Sequence, residues 1–107
     1  METEMTSLLD AIKASYAAFG SPGDTRDAQI NKFNEKLTYT VGKKYIKIVT
    51  ADYGVWGFIV NTDDDAKFIR GDILKAATYS TPTRNSARGN IVTGEFTVSW
   101  TGPEYLR

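Results

Sequence analysis

Leu37-Thr38-Tyr39-Thr40-Val41-Gly42-Lys43-Lys44-Tyr45-Ile46-Lys47-Ile48-Val49-Thr50 is the run in which this chain changes character. Leu37, Tyr39 and Val41 alternate with Thr38 and Thr40, the period of a strand with one buried face. Gly42-Lys43 suits a tight two-residue turn, and Lys44–Thr50 continues as a second strand antiparallel to the first. Asp52-Tyr53-Gly54 then makes another turn. Val55–Asn61 follows, apolar on both faces as a central strand is.

Toward the C-terminus the strand signals persist. Ten of the thirteen aromatic residues lie beyond residue 36, together with most of the β-branched ones. Thr62-Asp63-Asp64-Asp65 reads as a loop. Lys67–Arg70 and Ile73–Tyr79 read as strand on either side of Gly71-Asp72, a turn or a bulge. Ser80–Asn90 has no apolar period and is expected to be a long loop. Ile91–Thr93, a Gly94-Glu95 turn and Phe96–Trp100 make a closing hairpin, and Gly102-Pro103 is expected to end the regular structure.

Toward the N-terminus the period is helical. Met5, Leu8, Leu9, Ile12, Tyr16 and Phe19 share one face of a 3.6-residue repeat, and Ala11, Ala14, Ala17 and Ala18 favour the same conformation. Thr3 or Thr6 suits the N-cap, and Gly20 with Ser21-Pro22-Gly23 the stop. A second helix is expected over about Thr25–Lys36, capped by Asp24 or Thr25, with Ile30, Phe33 and Leu37 as its narrow apolar side. The 107 residues suit one domain: residues 1–36 helical, residues 37–107 an antiparallel sheet. The expected class is α+β, with one or two N-terminal helices packed on a curved meander of about five or six strands, a partial barrel rather than a sandwich.

Composition restricts the chemistry. There are 13 basic and 13 acidic residues, and no histidine or cysteine. Imidazole bases, thiolate nucleophiles and disulfides are therefore excluded. Ser80, Ser86 and Ser99 have no signature of a lysine-assisted nucleophile. No catalytic residue, metal site or cofactor is expected. Asp63-Asp64-Asp65 offers oxygen ligands, but it lacks the alternating acids, glycine and distal glutamate of a calcium loop, and a solvated turn is the plainer reading. Asp72 and Glu95 each sit beside a glycine, where a carboxylate commonly accepts from backbone amides. Gly57 is expected to let Trp56, or the strand opposite it, pack closely. Met1 to Thr6 carry no basic residue, so no signal-peptide n-region is expected. No apolar run approaches membrane-spanning length, and no N-glycosylation sequon occurs.

One segment is charged unevenly. Residues 66–94 hold Lys67, Arg70, Lys75, Arg84 and Arg88 against Asp72 alone, a local charge of +4. Within it, residues 80–90 are rich in hydroxyl, amide and guanidinium donors. Lys75, Arg84, Asn85, Arg88 and Asn90 are the candidate residues for nucleic-acid or anion binding, with Lys43, Lys44 and Lys47 extending the surface. The other reading makes the same loop a structural tie, within the chain or between copies in a homo-oligomer, its arginines satisfied by Asp63–Asp65 of a neighbour.

Lys44-Tyr45-Ile46-Lys47-Ile48, Val55-Trp56-Gly57-Phe58, Gly71-Asp72-Ile73-Leu74-Lys75-Ala76-Ala77-Thr78-Tyr79, Pro82 and Ala87-Arg88-Gly89-Asn90-Ile91 together resemble small uncharacterised proteins of tailed bacteriophages. Thr78-Tyr79 stands where Ser-Trp is more usual in them, and Thr83 where alanine is frequent. The first 36 residues lie outside the resemblance, which covers about half the chain. It implies a phage-encoded source, and hence the cytoplasm of an infected cell, and leaves the activity open. The expectation is a non-enzymatic accessory protein that binds nucleic acid or a host protein through residues 80–90, with no membrane partner. The alternative is a structural or oligomer-forming protein.

Overall fold

A computed structural model describes residues 2–19, 23–50 and 54–103. Two helices, α1 (Glu2–Ala18) and α2 (Asp24–Lys36), precede a four-stranded antiparallel sheet of β1 (Thr38–Val41), β2 (Tyr45–Thr50), β3 (Gly54–Val60) and β4 (Ile73–Lys75), in that order. Two short ribbons follow, β5 (Gly89–Asn90) with β6 (Glu95–Phe96), and β7 (Val98–Ser99) with β8 (Gly102–Pro103). The class is α+β and the sheet is open, not closed into a barrel. Among the described residues no helix is long and apolar enough to cross a membrane.

Met5, Leu8, Ile12 and Tyr16 of the α1 period are buried on one face and Leu9 is half-buried, whereas Phe19, expected to continue that face, lies beyond the helix and is 55% exposed. The buried side chains meet Phe33 and Leu37 at the end of α2 and Ile46, Ile48, Trp56, Ile59 and Ile73 on one face of the sheet. Tyr16 stacks flat on Phe33 at 4.0 Å and meets Trp100 edge-on at 5.2 Å, while Trp100 N–H donates to Ser15 Oγ. Burying a side chain such as Leu8 contributes about 2 kcal/mol. Helix caps differ from expectation. Thr3 and Thr6 lie inside α1, and the N-cap of α2 is Gly23, which offers no side-chain cap bond. Residues 20–22 of the expected stop Gly20–Gly23 and Asp52-Tyr53 of the expected turn lie outside the described residues, while Gly23 caps α2 and Gly54 begins β3.

The register explains how one sheet serves two cores. Ile46 pairs with Ile59 and Ile48 with Gly57, but Val49 pairs with Val55, so Trp56 is the extra residue of a bulge. Without it Trp56 would share the opposite face with Val49. The bulge turns the indole into the helix-side core, where its Nε1 donates to Ser99 O at 2.8 Å. Gly57 has a backbone reason: a Cβ there would meet Leu74 O at 2.9 Å and the Pro103 ring. The second face carries a smaller core of Phe58, Val60, Leu74 and Phe68, flanked by Tyr45, Val55, Ala76 and Ala87.

Several expected strands are replaced by turns, and side chains are the reason. Lys67–Arg70 is not a strand: Asp65 Oδ1 accepts from the amides of Lys67 and Phe68, and Asp72 Oδ2 from that of Ile69. Ile91–Thr93 is a turn because Asn90 Oδ1 accepts from the amides of Val92 and Thr93. The ribbon partner therefore moves back to Gly89–Asn90. The strand at Ile73 stops at Lys75 because Ala77 and Thr78 donate to Thr81 O, while Thr78 Oγ1 accepts from Ser80 and Thr81. Phe96–Trp100 divides between β6 and β7, and Gly102-Pro103, expected to end regular structure, forms β8. The first hairpin turns on Lys43-Lys44, with Gly42 N–H donating to Tyr45 O.

Candidate functional site

Residues 80–90 do not extend into solvent. Pro82 bridges Ala76, Thr83 N–H donates to Lys75 O at 2.7 Å, Arg88 N–H to Ile73 O at 2.7 Å, and Ile91 N–H to Gly71 O at 3.0 Å. The segment runs as an irregular fifth strand along the outer edge of β4. Pro82, which has no N–H to give, stands at its margin. Residues 84–87 bow out between the Thr83 and Arg88 bonds and fold over the second core, where Ala87 packs.

Arg84 holds that bow down. Its guanidinium forks onto Asp65, Nη1 to Oδ2 and Nη2 to Oδ1 at 2.9 Å each. Nη1 also donates to Tyr45 Oη at 2.5 Å, and the group lies over the Phe68 ring at 4.9 Å. The Asp65 side chain is 1% exposed. The Arg84 fork, followed by the amides of Lys67 and Phe68, holds its carboxyl well below the usual carboxylate range. Lys67 Nζ closes the arrangement by donating to the carbonyls of Arg84 and Asn85 at 2.7 and 2.8 Å. Asp63, the first of the three aspartates, is taken by Arg70, whose Nη1 also reaches Asn61 Oδ1. Two of the three carboxylates considered as metal ligands are thus engaged by guanidinium groups.

The five candidate residues therefore do not share one surface. Lys75 is exposed on β4. Arg84 is turned onto Asp65. Asn85 O accepts from Lys67 Nζ and its Oδ1 accepts from the Ser86 amide. Arg88 is 5% exposed and Asn90 7%. Asn90 is a four-bonded knot: Nδ2 donates to Arg70 O and Asp72 Oδ1, and Oδ1 accepts from Val92 and Thr93. Gly89 takes φ +145°, and a Cβ there would lie 2.5 Å from Glu95 O. Asp72 accepts a backbone amide as its turn position suggested, whereas Glu95 begins β6 instead.

What stays open is the other half of the second face. Phe68, Leu74, Ala76 and Ala87 cover it above β3 and β4 and Tyr79 reaches Lys47, while Thr38 and Thr40 of β1 stay exposed and Lys47 and Val49 of β2 half-buried. Between this half and residue 80 lies a shallow recess of about 350 Å³, lined by Thr40, Val41, Lys44, Tyr45, Lys47 and Ser80 among others. Lys47 Nζ sits 3.4 Å above the exposed Tyr79 ring, and Lys44 Nζ faces the Tyr45 ring. Among the described residues neither lysine has a carboxylate within salt-bridge distance. The sequence marks Lys44 and Lys47 only as neighbours of the loop; they stand out once the arginines have been assigned to their aspartates. No protein-family model, no curated protein and no solved structure matches this chain.

Proposed function

We propose that this chain is a non-enzymatic binding domain that takes an anionic partner on the open β1–β2 half of its sheet, while residues 80–90 act as the internal tie that seals the β4 edge. The observation carrying this reading is the contrast in charge use. Arg70 and Arg84 are each forked onto an aspartate, whereas Lys44 and Lys47 line a recess and, among the described residues, have no carboxylate within salt-bridge distance. Cations at the rim of a concave, half-apolar surface attract anions and orient them. An accessory protein of a tailed phage, acting on nucleic acid or on a host protein inside an infected cell, fits the sequence resemblance.

The test is retention on heparin at low salt. The parent chain is expected to bind and to elute with modest salt, as an electrostatic contact does. Lys44→Glu with Lys47→Glu is expected to abolish retention, and Lys75→Glu to leave it nearly unchanged. Retention lost with Lys75→Glu and kept with the Lys44 and Lys47 pair would return the site to the β4 side and overturn the assignment. A parent chain that passes through heparin unretained overturns it as well.

A further inference from the structure

We infer that the outer edge of β1 is a strand-addition site for an extended acidic polypeptide whose residues alternate between acidic and apolar. The inference rests on the anionic-partner reading above and names the partner's class.

It starts from hydrogen-bond parity. Gly42 N–H is bonded to Tyr45 O, and Thr40 pairs with Lys47 and Thr38 with Val49. In an antiparallel ladder the bonded residues alternate, so Thr38 and Thr40 turn their backbone groups toward β2. Tyr39 and Val41 turn theirs outward. Among the described residues β2 is the only strand paired with β1. The other edge, at β4, is occupied by residues 82–91. Among the described residues the four-stranded sheet therefore presents one row of unused donors and acceptors, at Tyr39 and Val41. Another backbone is the natural complement of such a row.

The side chains on either side of the row specify the guest. One face shows Val41, 66% exposed, beside the half-buried Tyr39. The other shows Thr38 and Thr40, with Lys47 beside Thr40 on the next strand and Lys44 at the turn. A strand laid on β1 places alternate residues on these two faces. One set meets Val41 and is best apolar; the other meets lysines and is best acidic. β1 is four residues long, so a guest of about four to six residues spans it.

Two other occupants fit less well. A second copy of this chain pairing antiparallel through β1 would bring the Lys43-Lys44 turn of one copy toward Lys36 of the other, and lysines at an edge disfavour self-pairing. A single-stranded nucleic acid needs aromatic faces on which bases stack. Tyr79 is the exposed ring beside the recess, and Lys47 already covers one side of it.

The experiment is fluorescence polarisation with a labelled Glu-Val-Glu-Val-Glu-Val peptide on the intact chain. Saturable binding is expected. It should weaken at least about tenfold with the Lys-Val counterpart and with the same acidic peptide N-methylated at its valines, which keeps its charge and removes the donors that would face Tyr39 and Val41. Val41→Pro deletes an outward N–H that β1 does not give to β2, so the fold is expected to survive while peptide binding is lost. Should circular dichroism show that this variant is unfolded, the N-methylated peptide on the parent chain decides. Equal binding of methylated and unmethylated peptides overturns the strand-addition inference, as does full affinity in folded Val41→Pro. A (dT)₆ probe that binds tighter than the acidic peptide overturns it in favour of nucleic acid, leaving the anionic-partner reading intact. Loss of heparin retention by the parent removes both.

Discussion

Replacing Asn90 separates a structural tie from a binding residue, and its cost follows from four bonds. In Asn90→Ala, Arg70 O and Asp72 Oδ1 lose a donor, and the amides of Val92 and Thr93 lose their acceptor. A net intramolecular hydrogen bond is worth about 1 kcal/mol, and more when the orphaned partner stays buried. Val92 and Thr93 are exposed, so water recovers part of their loss. The sum is about 3 kcal/mol, a large share of the roughly 5–15 kcal/mol expected for a domain of this size. At roughly 4–8 °C per kcal/mol, the melting temperature should fall by roughly 12–24 °C. Urea unfolding followed by the fluorescence of buried Trp56 reads the same loss as a lower midpoint at unchanged slope. Asn90→Asp keeps the shape and inverts one half of the interaction: an acceptor then faces Asp72 Oδ1, 2.9 Å from the replaced nitrogen, and the Arg70 carbonyl. The introduced carboxylate is disfavoured as a charge there, so this variant should lose stability as pH rises and recover it on acidification. An Asn90→Ala chain within about 0.5 kcal/mol of the parent would refute the reasoning.

Two further substitutions probe the same segment. The Asp65 carboxyl is depressed in the folded state from an ordinary value of 3.8, so its contribution is present above that value and declines as pH falls toward and through it. Urea midpoints at pH 3 and pH 6 should therefore differ less in Asp65→Asn than in the parent; an unchanged difference would show that the Arg84 fork is not coupled to folding. In Gly89→Ala a Cβ is forced onto Glu95 O and Phe96 at a φ that side chains rarely adopt, and thermal unfolding should show a loss of at least about 2 kcal/mol. A neutral result there would mean that the β5–β6 ribbon is not as close as described.

The parts legible in the sequence are those set by local period. Met5, Leu8, Ile12 and Tyr16 mark α1 at a spacing no strand shares, and Val55–Val60 marks the central strand because both of its faces are apolar. The Trp56 bulge leaves no local trace, since it exists only in the register against β2. The strands expected at Lys67 and Ile91 fail for a related reason. Asp65, Asp72 and Asn90 claim the amides that a ladder would have used. Arg84 presents the same problem at the candidate site. Read locally it is a donor in a polar loop. Its partner lies 19 residues away in an acidic run that reads as a separate feature, and only the folded chain brings the two to 2.9 Å. Lys44 and Lys47 gain significance because, among the described residues, no carboxylate stands within salt-bridge distance of either, which no local stretch of sequence shows.

Amide hydrogen exchange on the intact chain tests the division between a sealed edge and an open one. The amides of Thr83, Arg88 and Ile91 donate into β4 and the Gly71 turn and should be protected as strand amides are, while those of Tyr39 and Val41 point away from β2 and should exchange fast. Thr83 and Arg88 exchanging as quickly as Tyr39 and Val41 would contradict the account, because residues 80–90 would then be a free loop and the β4 edge unsealed.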